Sequence, residues 1–135
     1  MLVYATLLDF DPVKNKEATT VLNKLRKTKS ELFISTQILR EFYAVVTNDK
    51  YLKNPLTPKQ ANEQIKFFIN TFNTLPVTEN IFPLLAVLSE KYNITGQKIH
   101  DTAIVATMLT NELKTIYSFN IKDFKNIKEI NLLNY

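Results

Sequence analysis

Glu41, Asp101 and Asp123 are the side chains of this sequence best suited to hard-cation chemistry. Carboxylate oxygens are the ligands Mg²⁺ prefers, and a Mg²⁺ held by a few of them keeps waters that can be activated toward a phosphodiester. Glu41 falls within an expected helix, between apolar Leu39 and Phe42; Asp101 falls at the start of another; Asp123 follows the run Thr115–Ser118. Three acids from separate elements can meet at one sheet edge. Each also has a plainer reading: Glu41 as a solvated helix residue, Asp101 as a helix N-cap, Asp123 as a turn residue. Spacing alone leaves both sets of readings open. His100, the sole histidine, could assist acid–base work beside Asp101 or be incidental. Lys14, Lys16, Lys24, Arg26, Lys27 and Lys29 read as the wet face of an amphipathic helix and its exit loop, and as a modest RNA-facing surface.

Strands and helices must alternate to position these acids. Ala18, Val21, Leu22 and Leu25 recur at the helical period within Lys14–Leu25. Glu31–Ser35 is a compact β-favouring run, after which Ser35 or Thr36 can cap a helix carrying Ile38, Leu39, Phe42, Val45 and Val46. Thr57-Pro58 has the form of an N-cap with proline in the first turn, opening a helix to about Asn73. Leu75–Val77 is expected as a short strand, and Thr78 as the cap of a helix with Ile81, Leu84, Leu85 and Leu88. A last long helix is expected over Asp101–Leu113, and Thr115–Ser118 and Glu129–Leu133 as terminal strands. This alternation predicts a parallel sheet covered on both faces, with ligands bound beyond the carboxyl ends of its strands.

Composition narrows the function classes. The 135 residues fall within the size of one domain, 1–135, and no linker or repeat divides them. The absence of cysteine removes disulfides, zinc ribbons and thiol nucleophiles. The single glycine, Gly96, leaves few left-handed turns for an all-β meander. No apolar run approaches the ~20 residues of a membrane span, and the short apolar start has no basic residues ahead of it, so a cytoplasmic, non-membrane protein is expected. The formal net charge of +4 suits a polyanionic partner such as RNA.

Three strings carry a family likeness. Ser35-Thr-Gln-Ile-Leu-Arg-Glu41-Phe-Tyr resembles the second motif of PIN-domain proteins, in which a strand ends in Ser and the following helix carries the Glu. His100-Asp101-Thr-Ala-Ile-Val-Ala resembles their third motif, and Tyr117-Ser-Phe-Asn-Ile-Lys-Asp123-Phe their fourth. Order and separations agree over nearly the whole chain. The resemblance implies a PIN-like three-layer α/β/α fold around a central parallel sheet. It also implies a Mg²⁺-dependent endoribonuclease, with Mn²⁺ as a substitute metal, of the VapC toxin type. Glu41, Asp101 and Asp123 would be its catalytic, metal-binding acids, and Asn120 would stand where some relatives carry a further aspartate. A cognate antitoxin protein, an RNA substrate and a homodimer are the partners implied.

The departure is at the amino terminus. The family opens with a hydrophobic strand ending in Asp-Thr-Asn or Asp-Ser-Asn, followed by an apolar segment like Leu2-Val-Tyr-Ala5. Here that triplet is missing, so the first strand is expected to be truncated or absent and the first acid lost. Either the start has been placed several codons late or the acid is gone. Asp9 and Asp11 read as loop residues and not as ligands. The competing function is therefore a catalytically inactive PIN-like module that binds RNA or protein. A receiver-like signalling domain is disfavoured, because the first strand carries no acidic pair.

Overall fold

The computed structural model describes residues 2–3, 20–21, 23–118 and 121–133. Its elements are strands β1 (Leu2–Val3), β2 (Phe33–Ser35), β3 (Asn73–Leu75), β4 (Thr115–Tyr117) and β5 (Asn131–Leu132), with helices α1 (Thr36–Val46), α2 (Pro58–Thr71), α3 (Phe82–Lys91), α4 (Lys98–Thr110) and α5 (Ile121–Phe124). Residues 20–21 and 23–27 are also helical, which agrees with the later part of the helix expected over Lys14–Leu25; the earlier part lies outside the described residues.

The strands form one sheet in the order β3-β2-β1-β4-β5. Every registered pairing is parallel: Leu2 against both Phe33 and Ile116, Val3 against Tyr117, Phe33–Ser35 against Asn73–Leu75, and Thr115–Ile116 against Asn131–Leu132. Of the two expectations for the first strand, truncated or absent, the second is corrected and a short strand is found. Leu2–Val3 is a strand of two residues and occupies the centre of the sheet, satisfying backbone groups of both neighbours. The chain builds leftward from β1 to β3 and then crosses back to β4 and β5, so the order reverses at β1. Crossovers between parallel strands are right-handed as a rule, and helices of the outward and returning halves of such a sheet then lie on opposite faces.

Local chemistry explains the element ends. Ser35, fully buried at the end of β2, accepts a hydrogen bond from the Ile38 N–H at 3.3 Å and so caps α1. Thr57 and Gln60 exchange side chain-to-backbone bonds of 3.2 and 3.0 Å in a capping box, with Pro58 opening α2. The strand expected over Leu75–Val77 lies two residues earlier. Asn73 donates its N–H and its side-chain amide to the Leu32 carbonyl, whereas Pro76 has no N–H to offer a ladder. Thr78 makes no side-chain cap; its hydroxyl donates to Asn80 and a 3₁₀ turn, Glu79–Ile81, leads into α3. α4 begins at Lys98, three residues before Asp101, and ends at Thr110.

One glycine proves enough because other residues take left-handed φ: Lys29 (58°), Asn93 (51°) and Glu112 (59°), besides Gly96 (63°). Asn93 and Glu112 follow the caps of α3 and α4, where Ile94 N–H donates to Ser89 O (2.9 Å) and Leu113 N–H to Met108 O (2.8 Å). These are Schellman closures, and their hydrogen bonds offset the steric cost of a Cβ there.

The core lies on the sheet. Ile34, Ile38, Val46, Leu88, Ile104, Val105, Met108, Ile116 and Phe124 are its largest fully buried side chains. α4 is buried through Ile104–Met108, as expected of a helix apolar on nearly every side. α2 buries only Ala61 completely and is held to α1 by an edge-to-face contact between Phe42 and Phe68, 5.2 Å between centroids. Such a pair adds ~0.5–1.5 kcal/mol to its burial. Among the described residues no helix is long and apolar enough to cross a membrane.

Candidate functional site: an acidic edge of the sheet

Parallel topology brings the three acids to one end of the molecule. Helices in such a fold run against the strands they connect, so each starts at the sheet's carboxyl edge. Glu41 lies five residues into α1, which leaves directly from β2, and Asp101 lies three residues into α4. At 1.5 Å per residue these are depths of ~8 and ~5 Å from the respective helix starts. Asp123 is carried by α5, which follows β4. β2 and β4 flank β1, the position at which strand order reverses and where open α/β sheets bind ligands.

The electrostatics show the juxtaposition. The Asp101 carboxyl is pushed up from an ordinary 3.8 to about 6, first by desolvation, then by the negative charges of Asp123 and Glu41, with His100 opposing weakly. A side chain that feels both other acids is not serving as an N-cap, and Gln97 holds that position. Asp101 and Glu41 are half-buried, whereas Asp123 is exposed. Asn120 lies outside the described residues, as do Asp9 and Asp11.

Gln37 was not singled out by sequence. Its buried side chain donates from Nε2 to Glu41 Oε1 (3.2 Å) and to the His100 carbonyl (2.8 Å). The i, i+4 spacing of Gln37 and Glu41 was a legible signal for the first bond. Nothing local signalled the second, which spans 63 positions. Beside these residues runs a groove of about 800 Å³, lined among others by Arg40, Glu41, Phe82, Leu85 and His100. Phe82 stands 61% exposed on its rim. Arg26, Lys27 and Lys29 are exposed around the end of the helical segment 23–27, and Lys14 and Lys16 lie outside the described residues.

The donor chemistry fits a hard cation, since the acids supply only oxygen and a positive charge among them would relieve their repulsion. Among the described residues, no three His, Cys, Asp or Glu side chains stand close enough to form a metal-holding group. The acids make a negatively charged edge of the sheet.

No family model matches the chain, and no curated protein does. Solved structures do. A chain of the VapBC2 complex from Rickettsia felis bound to a promoter DNA fragment superposes with a TM-score of 0.68 at 19% identity, covering 100% of this chain and 99% of that one. A toxin–antitoxin complex from Klebsiella pneumoniae gives 0.67 at 21%, covering 98% and 95%. FitAcB from Neisseria gonorrhoeae gives 0.65 at 17%, covering 99% and 97%. At such identities the likeness shows the fold alone: a small α/β fold shared with chains of these complexes.

Proposed function

We propose, proceeding from that shared fold, that this chain is a single PIN-like domain acting as the toxin partner of a cytoplasmic toxin–antitoxin pair: a module that binds an antitoxin protein and RNA, with an acidic edge that takes Mg²⁺. The observation that carries the reading is the end-to-end likeness to chains solved in toxin–antitoxin complexes. The partner reading asks for a small protein encoded beside this one. Co-expression of the two should give a complex that stays together through size-exclusion chromatography with light scattering, which would also report whether the chain is a homodimer. Two separate peaks would refute it. RNA binding is supported by the net charge of +4 and by the exposed Phe82 ring on the groove beside Glu41, a surface on which an unpaired base can stack.

A second reading adds catalysis: a Mg²⁺-dependent endoribonuclease that hydrolyses RNA phosphodiesters. The specific observation in its favour is that Asp101 feels the negative charges of both Asp123 and Glu41 at the sheet's carboxyl edge. Those three, with Asn120 as a further candidate, would hold the ion, for which Mn²⁺ would substitute. Bound there, it would supply activated water and charge neutralisation at the scissile phosphate. The chain's own contribution is to keep Asp101 desolvated and facing the other two acids, so that cation binding is rewarded. The binding module is the better supported of the two, because it asks only for the fold shared with chains of those complexes, whereas catalysis asks in addition for an ion held at this edge. Incubating labelled RNA with purified protein while titrating Mg²⁺ separates the two. Cleavage abolished by Asp101→Asn would establish the enzyme; retention of RNA without cleavage would establish the binding module.

A further inference from the structure

Gln37 sits where its amide can tie two acids' helices together. It is 7% exposed on α1, one turn before Glu41, and its Nε2 reaches both the Glu41 carboxylate (3.2 Å) and the backbone carbonyl of His100 (2.8 Å), the residue preceding Asp101. Both partners accept only, so the amide nitrogen, and not its oxygen, must face them. A single –NH₂ with two hydrogens is thereby fully used, and a hydroxyl or a carboxylate could not replace it. Serine carries one hydrogen on a shorter stem, and an ionised carboxylate carries none.

From this we infer that Gln37 is the positioning residue of the acidic edge: it fixes the Glu41 carboxylate through Oε1, leaves Oε2 free, and sets the distance from α1 to the first turn of α4 that carries Asp101. The inference rests on the proposed Mg²⁺-binding edge and names the part that organises it. A free Glu41 side chain would sample several rotamers and would have to be ordered by the incoming ion; a held one does not. Packing alone does not require an amide here, because the neighbouring buried positions of α1, Ile38, Leu39 and Phe42, are all apolar.

The test is Mg²⁺ titration by isothermal calorimetry on the intact chain. Gln37→Met keeps the volume and removes both donors. Its Mg²⁺ dissociation constant should rise about tenfold or more, the usual consequence of removing a ligand's hydrogen-bond partner. In a Glu41→Gln background the same substitution should change it less than about twofold, because the effect runs through Glu41. A purely structural role would lower Tm and leave the affinity of the folded protein alone. An unchanged affinity in Gln37→Met, or equal effects in both backgrounds, overturns the inference. Should Gln37→Met not fold, the wild-type side-chain amide signals of Gln37 in a ¹⁵N spectrum serve instead: they should shift along the same Mg²⁺ isotherm, and signals that stay still refute the role. If the wild type binds no Mg²⁺ at all, the acidic-edge reading falls and this one with it. If Asp101→Asn abolishes binding while Gln37→Met does not weaken it, only the role of Gln37 is lost.

Discussion

Replacing Asp101 by asparagine should make this protein more stable at neutral pH. The carboxyl titrates at about 6 in the fold against an ordinary 3.8, so its ionised form is disfavoured there by desolvation and by Asp123 and Glu41. At about 1.4 kcal/mol per tenfold change in proton affinity, the rise corresponds to ~3 kcal/mol with no screening. The side chain is only half-buried, and solvent screening reduces this to about 1–2 kcal/mol. For a domain of this size that is a gain of roughly 3–8 °C in Tm. The sign follows from linkage. A raised acid favours the fold fully below about 3.8, and that contribution is lost as pH rises through about 6. The advantage of the Asp101→Asn variant should therefore be absent near pH 4, grow between about pH 4 and 6, and stay level above. Differential scanning fluorimetry at a series of pH values, with and without Mg²⁺, measures it. Millimolar Mg²⁺ should raise the wild-type Tm and close the gap, because the ion relieves a repulsion that the neutral amide of the variant does not feel. A variant less stable than wild type at neutral pH, or a gap independent of pH, would refute the electrostatic account.

Phe124→Ala should cost about 3–5 kcal/mol in chemical denaturation, since the ring that ends α5 is fully buried in the core; a loss under about 1 kcal/mol would mean that Asp123 is not anchored by it. Glu112→Gly should stabilise by up to about 1 kcal/mol, because the Schellman closure of α4 needs φ near 59° and glycine alone adopts it without a Cβ penalty; an unchanged or lower Tm would count against the motif. Glu129 accepts from Tyr92 and Lys91; burial would raise its carboxyl, but these hydrogen bonds and the Lys91 charge together hold it below the usual range. Glu129→Gln should accordingly lower stability by under about 1 kcal/mol at neutral pH. The difference should fade as pH falls through the Glu129 titration, whereas a loss persisting in acid would point to packing instead.

Local signals in the sequence carried most of the elements. Ser35 and the Thr57-Pro58 pair marked helix starts because a cap is a contact among residues two or three apart, and the period of Ile38, Leu39, Phe42 and Val46 marked a buried face for the same reason. Glu41, Asp101 and Asp123 were legible as candidates from strings of similar local character. Boundaries set by distant partners were not legible: Asn73 joins the sheet instead of α2 because its N–H meets the Leu32 carbonyl. The two-residue strand Leu2–Val3 finds its central place only because Phe33, Ile116 and Tyr117 offer it backbone partners on both sides. Left-handed φ at Asn93 and Glu112 likewise required helix carbonyls to close upon. Above all, only the tertiary structure decided that Asp101 is an acid under pressure and no N-cap. Its titration depends on Asp123 and Glu41, whose charges reach it across the carboxyl edge of a parallel sheet, and Coulomb interactions follow distance in space and not order along the chain.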